Sequence, residues 1–265
     1  MKRRLRMNQQ ELESALATLN LSAIHYFDSV GSTNDEALDW ARKGARDLSL
    51  VVADEQTMGR GRLDRPWFTP PKTALAFSLI LRPTHVEKPL LSRTVGLAAL
   101  ALADVLQTLG LDPQIKWPND ILLNGRKAAG ILIEATWFED EAQSIVIGLG
   151  INIAKGSVPS TDILGFPAIS LEHMLGYAPD RNIILHATLA NIIALRPHMG
   201  TDSFMSAWEK KLAYYGRQVR VEMGGEKSVS GKVIGLESDG SLKLRDDDGK
   251  IIAVRFGDVR LRLFA

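Results

Sequence analysis

The chain has 265 residues, enough for one large domain or a larger and a smaller one. Its 45% hydrophobic and 24% charged content suits a globular protein with a real core, and 32 basic against 31 acidic side chains leave a net charge of +1. That balance argues against wholesale nucleic-acid or membrane binding, and the absence of cysteine excludes disulfides, thiolate zinc sites and cysteine nucleophiles.

In chain order, the basic start at 1–6 runs into Asn8-Gln9-Gln10-Glu11 instead of an apolar stretch, so no secretion signal is expected and the protein is placed in the cytosol. Residues 8–19 offer one short helix. A second helix should begin near Asn34, where Thr33 and Glu36 have the spacing of a capping box, and should stop at Gly44. Leu91, Val95, Ala98, Leu102, Val105, Leu106 and Leu109 recur at helical spacing ahead of a C-capping Gly110. The apolar window 95–109 is interrupted by Asp104 and Gln107 and reads as too short and too polar to span a bilayer. A further helix, 182–195, lies between Asp180 as cap and Pro197 as stop.

Strand-like runs occupy 49–53, 74–81, 114–117, 130–135 and 144–153, and Asn124-Gly125 between apolar flanks reads as a hairpin turn. Helices mixed with an antiparallel hairpin predict an α+β fold with a mixed sheet, not a doubly wound parallel one. After Tyr215 the texture changes to short β-rich runs separated by Gly224-Gly225, Asp239-Gly240 and Asp248-Gly249, which predicts a small antiparallel barrel or sandwich beyond a boundary near 214–217.

The densest chemistry is Gly59-Arg60-Gly61-Arg62-Leu63-Asp64-Arg65-Pro66-Trp67. Two glycines let backbone N–H groups approach a ligand, and three arginines within six residues concentrate positive potential suited to phosphate or carboxylate. A solvated loop or an RNA-binding patch would show the same residues. Gln56, upstream, could read a polar ring edge or simply serve in a turn. In Gly31-Ser32-Thr33-Asn34 the polar side chains are good helix caps that could equally face a ligand. Lys116-Trp117-Pro118-Asn119-Asp120 packs a cation, an amide and a carboxylate at the end of a strand. Lys127 follows the hairpin turn, and 147–152 is an apolar strand with Gly148, Gly150 and a terminal Asn152, glycines that in a strand mark close approach.

GSTN, ADEQTMGRGRLDRPW, KWPND with a lysine seven residues on, and VIGLGIN, in this order, resemble the biotin–protein ligase family from about Ile24 to the end of the chain. The order is similar, more distantly, to lipoate–protein ligases, but GRGR and KWPND favour biotin. The resemblance implies a class II synthetase-like mixed sheet followed by an SH3-like barrel, with 1–22 as an extension, 23–215 as the catalytic unit and 216–265 as the C-terminal domain. It implies ATP-dependent formation of biotinyl-5′-AMP and transfer of biotin to a lysine of a biotin carboxyl carrier domain, with Mg²⁺ carried by the nucleotide. Ser32, Thr33, Asn34, Gln56, Gly59, Arg60, Gly61, Arg62 and Lys127 would bind biotin; Arg62, Arg65, Trp67, Lys116, Asn119 and Asn152 would meet ATP; Arg62, Lys116, Asp120 and Lys127 would carry the chemistry. Asp64 departs from the glycine that many relatives carry, so the loop's flexibility should differ. The stretch before the motifs is too short for the winged helix of repressor-type members, so no specific DNA binding is expected; no membrane partner is expected, and the resemblance admits a homodimer.

Overall fold

The computed structural model describes residues 7–159, 166–224 and 227–261. The basic start at 1–6, Gly225 of the Gly224-Gly225 turn and the end of the last β-rich run, expected at 259–263, lie outside the described residues.

A seven-stranded mixed sheet carries the site. Its strands are β1 (Ala23–Phe27), β2 (Ser49–Ala53), β3 (Ala74–Leu81), β4 (Pro113–Lys116), β5 (Asp120–Leu123), β6 (Arg126–Phe138) and β7 (Glu141–Asn152), in spatial order β1-β2-β3-β7-β6-β5-β4. Only the β1–β2 pair is parallel; every other neighbour is antiparallel. The mixed sheet expected from the sequence is therefore present. Asn124 (φ 48°) and Gly125 (φ 70°) both take left-handed backbone in the β5–β6 turn, the conformation that favours this dipeptide in a tight hairpin. The sequence pattern missed β1, a half-exposed strand at the edge of the sheet.

One face of the sheet is fully apolar. Leu75, Phe77 and Leu79 alternate with Ala76 and Ser78 along β3, and Ile147, Leu149 and Ile151 alternate with Gly148 and Gly150 along β7. The bulky set packs against α3 (Thr94–Thr108) and α5 (Arg181–Leu195) in the main core. A 3₁₀ turn at 88–93 runs directly into α3, and together they are long and apolar enough to cross a bilayer by length and composition, more than the 95–109 window suggested. Here that apolar surface is consumed by the sheet and by α5, and α3 residues from Leu97 to Ala103 are essentially inaccessible. Asp180 caps α5 as expected, its carboxylate accepting from Asn182 N–H at 2.9 Å. Before the sheet, α1 (Gln9–Leu16) sends Leu12 and Leu16 into the same core.

On the opposite face lies α2 (Thr33–Arg42), whose Ala37, Leu38 and Ala41 meet Val51, Ile80 and Val146. Its start differs from the capping box expected of Thr33 and Glu36. Ser32 is the N-cap residue and makes no side-chain cap bond, while Thr33 already lies in the first turn. The Thr33 hydroxyl is engaged elsewhere, with Gln56 and Ser78, and cannot serve the helix end.

Beyond the short α4 (Leu171–Leu175), α6 (Asp202–Lys210) leads into a five-stranded antiparallel sheet. Its strands β8 (Gln218–Glu222), β9 (Ser228–Leu236), β10 (Leu242–Arg245), β11 (Ile251–Val254) and β12 (Asp258–Leu261) follow the order β11-β10-β9-β8-β12. Trp208 of α6, fully buried, joins the two sheets, with its ring pressed against Gly96 of α3 and Gly240 before β10. Trp117 adds a second tie, its indole N–H donating to the Gly240 carbonyl at 2.9 Å.

Replacing glycine with alanine inside a helix ordinarily stabilises it by up to about 1 kcal/mol. At Gly96 the sign should reverse. A Cβ there would run into the Trp208 indole, which is enclosed on all sides. Gly96→Ala should destabilise by about 1–3 kcal/mol, as overpacking does. Urea unfolding measures it, and a stability equal to or above wild type would refute the packing described for Trp208.

Candidate active site

The cleft sits on the α2 face of the central sheet, and strand register decides its shape. Successive partners across β3, β7, β6, β5 and β4 align Ala76, Gly150, Gly130, Asp120 and Lys116 in one transverse row. The next row aligns Ser78, Gly148 and Leu132. Side chains directly opposite in antiparallel strands share a face, so these small residues leave a bare floor in mid-sheet. That floor is occupied from above. A Cβ on Gly150 would strike the Trp67 indole, one on Gly148 would strike the Asn34 amide, and one on Gly130 would lie 3.2 Å from both Trp67 and Lys127. The resulting cleft is open, with about 670 Å³ of empty space that includes its solvent-filled mouth.

At one end the polar groups form a connected set. Gln56 Oε1 accepts from Thr33 N–H at 2.8 Å and lies 3.1 Å from the Thr33 hydroxyl, while its amide N–H donates to Thr69 Oγ at 3.1 Å. Ser78 Oγ stands 2.8 Å from Thr33 Oγ and 2.6 Å from Asn34 Oδ1. Asn34 Nδ2 donates to Glu134 at 2.8 Å. Ser32 is buried beside them on the cleft wall. Donors and acceptors arranged this way suit a planar polar ring and place no net charge on it.

The glycine-rich loop crosses above. Arg60 donates from Nη2 to Asp35 at 2.6 Å and to Glu134 at 2.9 Å. Burial lowers the Arg60 pKa, but hydrogen bonds and charge from Asp35 and Glu134 outweigh it and hold the pKa above its usual value. Arg62 Nη1 donates to the Gly257 carbonyl at 3.2 Å, and Arg65 pairs with Asp258 at 2.5 Å. The two glycines are not equivalent. A Cβ on Gly59 would lie 2.5 Å from the Trp67 carbonyl, whereas one on Gly61 would find its nearest atom at 3.7 Å. At the tip, Leu63 (φ 56°) and Asp64 (φ 54°) are both left-handed, which is the conformation that glycine would adopt at least cost in place of Asp64.

At the other end Asp120 lies between two ammonium groups. Lys127 Nζ is 2.7 Å from one carboxylate oxygen and Lys116 Nζ 3.7 Å from the other. Lys116 is buried, against the Phe166 ring at 4.7 Å, and does not line the cleft. Burial holds its pKa below the ordinary lysine range, against the pull of Asp120 and Asp258. Asn119 lines the cleft and donates to the Ile131 carbonyl at 2.7 Å. Asn152 and Gly59 stay outside the lining; Asn152 donates to the carbonyls of Lys127 at 3.3 Å and Ile169 at 3.2 Å, holding the strand that carries Lys127.

The structure thus gathers Ser32, Thr33, Asn34, Gln56, Arg60, Gly61, Arg62, Arg65, Trp67, Asn119, Asp120 and Lys127 around one cleft. Sequence reading missed Asp35, Ser78, Glu134 and Asp258, which bind these residues from α2, β3, β6 and β12. Nothing local marks them: each is an ordinary polar residue in its own segment, and only the fold brings it near. Among the described residues, no group of three or more His, Asp or Glu is placed to hold a metal ion. Arg60, Arg62, Arg65 and Lys127 outnumber Asp120 and Asp258 on the lining, so the cleft can take an anion beside a polar ring.

Comparison with known proteins gives this arrangement relatives. Residues 26–152 match the biotin/lipoate A/B protein ligase family, and 214–262 match the biotin protein ligase C-terminal domain. The chain is 35% identical to the bifunctional ligase/repressor BirA of Bacillus spizizenii, over 92% of this chain and 76% of that protein. It is 33% identical to the biotin–[acetyl-CoA-carboxylase] ligase of Paracoccus denitrificans, over 83% of this chain and 92% of that one. Among solved structures, the biotin protein ligase from Aquifex aeolicus in complex with biotin and ATP superposes with a TM-score of 0.76 at 28% identity, covering 91% of this chain and 99% of that one. Family models at both ends and relatives matched over most of their length agree with the cleft: the chain belongs to the biotin/lipoate A/B protein ligase family, on its biotin–protein ligase branch.

Proposed function

We propose that this cleft joins biotin to ATP as biotinyl-5′-AMP and then passes the biotinyl group to a lysine of a biotin carboxyl carrier domain. The observation that carries the reading is a neutral, hydrogen-bonding end and a cationic end on one glycine-floored cleft under one loop. We assign 23–215 to the catalytic unit, 216–265 to the C-terminal domain and 1–22 to an extension, and we place the reaction in the cytosol.

In the first step a biotin carboxylate oxygen attacks the α-phosphorus of ATP and the bond to pyrophosphate breaks. Two anions must approach, so positioned cations have to offset their repulsion. Thr33, Gln56 and Asn34 would hold the ureido ring, while Lys127 and Arg62 would meet the charged groups. Arg65, Trp67 and Asn119 would line the nucleotide side. Mg²⁺ would arrive on the phosphates and neutralise part of their charge; no carboxylate cluster of the described residues is set to hold it. In the second step a neutral lysine amine attacks the acyl carbon and AMP leaves. For Lys127 to reach the anhydride it must loosen its 2.7 Å pair with Asp120. That frees one carboxylate oxygen to orient the incoming amine and take its proton.

Mass spectrometry of products after incubation with ATP and either biotin or lipoate tests the assignment directly; lipoyl-AMP as the dominant product would overturn it. Lys127→Ala and Arg62→Ala should each lower pyrophosphate release about 10²–10³-fold, the usual loss for one positioned group of this kind. Wild-type rates in both would remove these cations from the site.

The loop glycines give a second test. Gly59→Ala must push its segment off the Trp67 carbonyl, whereas Gly61→Ala has room. Gly59→Ala should therefore raise release of free biotinyl-AMP about tenfold or more, in line with a misaligned lid. Gly61→Ala should stay near wild type. Equal leakage from the two, read by rapid filtration, would contradict the packing described for the loop.

A further inference from the structure

Behind the ring end of the cleft lies an ion pair that takes no part in its lining. Asp54 follows β2 directly, two residues before Gln56, and Arg181 opens α5. Both are almost completely buried, with one carboxylate oxygen 2.5 Å from a guanidinium nitrogen. The same Arg181 nitrogen donates to the Ala74 carbonyl at 3.1 Å, so it spans from the end of β2 to the start of β3. The same Asp54 oxygen accepts from the Lys72 N–H at 3.3 Å. Lys72 is held at φ 65°, in a turn that the Thr73 N–H closes by donating to the Pro70 carbonyl at 3.3 Å. That left-handed position suits glycine, and a lysine stays there only where its surroundings hold it. Three residues before Lys72, Thr69 grips Gln56 twice. Its carbonyl accepts from the Gln56 backbone N–H at 3.3 Å, and its hydroxyl accepts from the Gln56 amide at 3.1 Å.

We propose that Asp54, held by Arg181, is a positioning residue for ring recognition: it fixes the Lys72 turn, the turn sets Thr69, and Thr69 orients the Gln56 amide. The proposal rests on the biotin-binding reading above. Desolvation makes a buried ion pair a poor source of stability, and an apolar pair of similar volume commonly serves as well or better. What the apolar pair lacks is direction. It would fill the space beside α5 but would not bind the Lys72 N–H or the Ala74 carbonyl, and the arm carrying Thr69 could then shift. Gln56 is the residue most affected, because its amide oxygen must stay on Thr33 while its amide nitrogen stays on Thr69. The glycine-rich loop between Gln56 and Thr69 has anchors of its own, Arg60 on Asp35 and Glu134, and Arg62 and Arg65 on β12. The nucleotide end of the cleft should therefore move little.

Biotin affinity by calorimetry and the KM for ATP at saturating biotin, measured on the full chain beside the melting temperature, separate positioning from stability. Asp54→Leu combined with Arg181→Met should melt near the wild-type temperature. It should nevertheless bind biotin about five- to tenfold more weakly, the effect of about one hydrogen bond, with the KM for ATP changed less than about twofold. Adding Lys72→Gly, which takes the left-handed turn freely, should bring biotin affinity back to within about twofold of wild type. Asp54→Asn keeps the shape and an oxygen for the Lys72 N–H, and should weaken biotin alone by about threefold through the lost charge. This single variant decides the matter if the double one does not fold. Wild-type biotin affinity in these variants overturns the proposal, as does equal weakening of biotin and ATP, or no recovery with Lys72→Gly. A wild type that binds no biotin overturns the ligase reading along with it, whereas the other outcomes overturn this proposal alone.

Discussion

The register between β6 and β7 is the constraint on which the site depends. It sets Gly130 opposite Gly150 and Leu132 opposite Gly148, while β3 supplies Ala76 and Ser78 to the same rows. Because side chains alternate with a period of two, a slip of one residue would carry Ile131, Leu149 and Ile147 onto the cleft face and fill it. The same slip would turn glycines toward α3 and hollow the core. Core packing and a floor bare of its own side chains are thus two consequences of one pairing, and the apolar face that excludes a slip also protects the cleft.

The cations of the cleft are engaged by protein carboxylates before any substrate enters. Each cation on the cleft lining has a protein carboxylate beside it: Arg60 has Asp35 and Glu134, Arg62 and Arg65 have Asp258, and Lys127 has Asp120. These pairs keep several like charges from repelling one another in a confined space. They also mean that an anionic substrate competes for cations already engaged, so binding exchanges one ion pair for another instead of creating a new one. Lys116 differs, since it is buried behind Asp120 and steadies that carboxylate from the side away from the cleft lining.

The C-terminal sheet takes part in this arrangement. Gly257 and Asp258, at the start of β12, are the groups that hold Arg62 and Arg65. Their position is set at a distance by Trp208 and Trp117, which tie α6, α3 and the Gly240 turn into one core. The loop is therefore gripped from two directions, by α2 and β6 at Arg60 and by β12 at Arg62 and Arg65.

Much of this was legible in the sequence. Helical spacing marked α3, Asp180 as cap and Pro197 as stop marked α5, apolar runs marked most strands, Asn124-Gly125 marked the β5–β6 hairpin, and the glycines of VIGLGIN marked a strand that something must approach closely. These signals are local, and they survive because turn chemistry and side-chain alternation act within a few residues. The sequence also named the residues around the cleft, since their types are chosen for chemistry and their spacing resembles a family. What it did not determine was who binds whom. Thr33 looked like a capping residue until Gln56 and Ser78 were seen to claim its hydroxyl. The family resemblance named Lys116 and Asn152 but not their partners: Lys116 sits buried 3.7 Å from Asp120, and Asn152 donates to two backbone carbonyls. Glu134 and Asp258 carried no local signal, because their partners lie 74 residues away for the first and 193 (from position 65 to 258) for the second. Hydrogen bonds and ion pairs of that sequence separation are decided by strand register and sheet docking, which only the tertiary structure supplies.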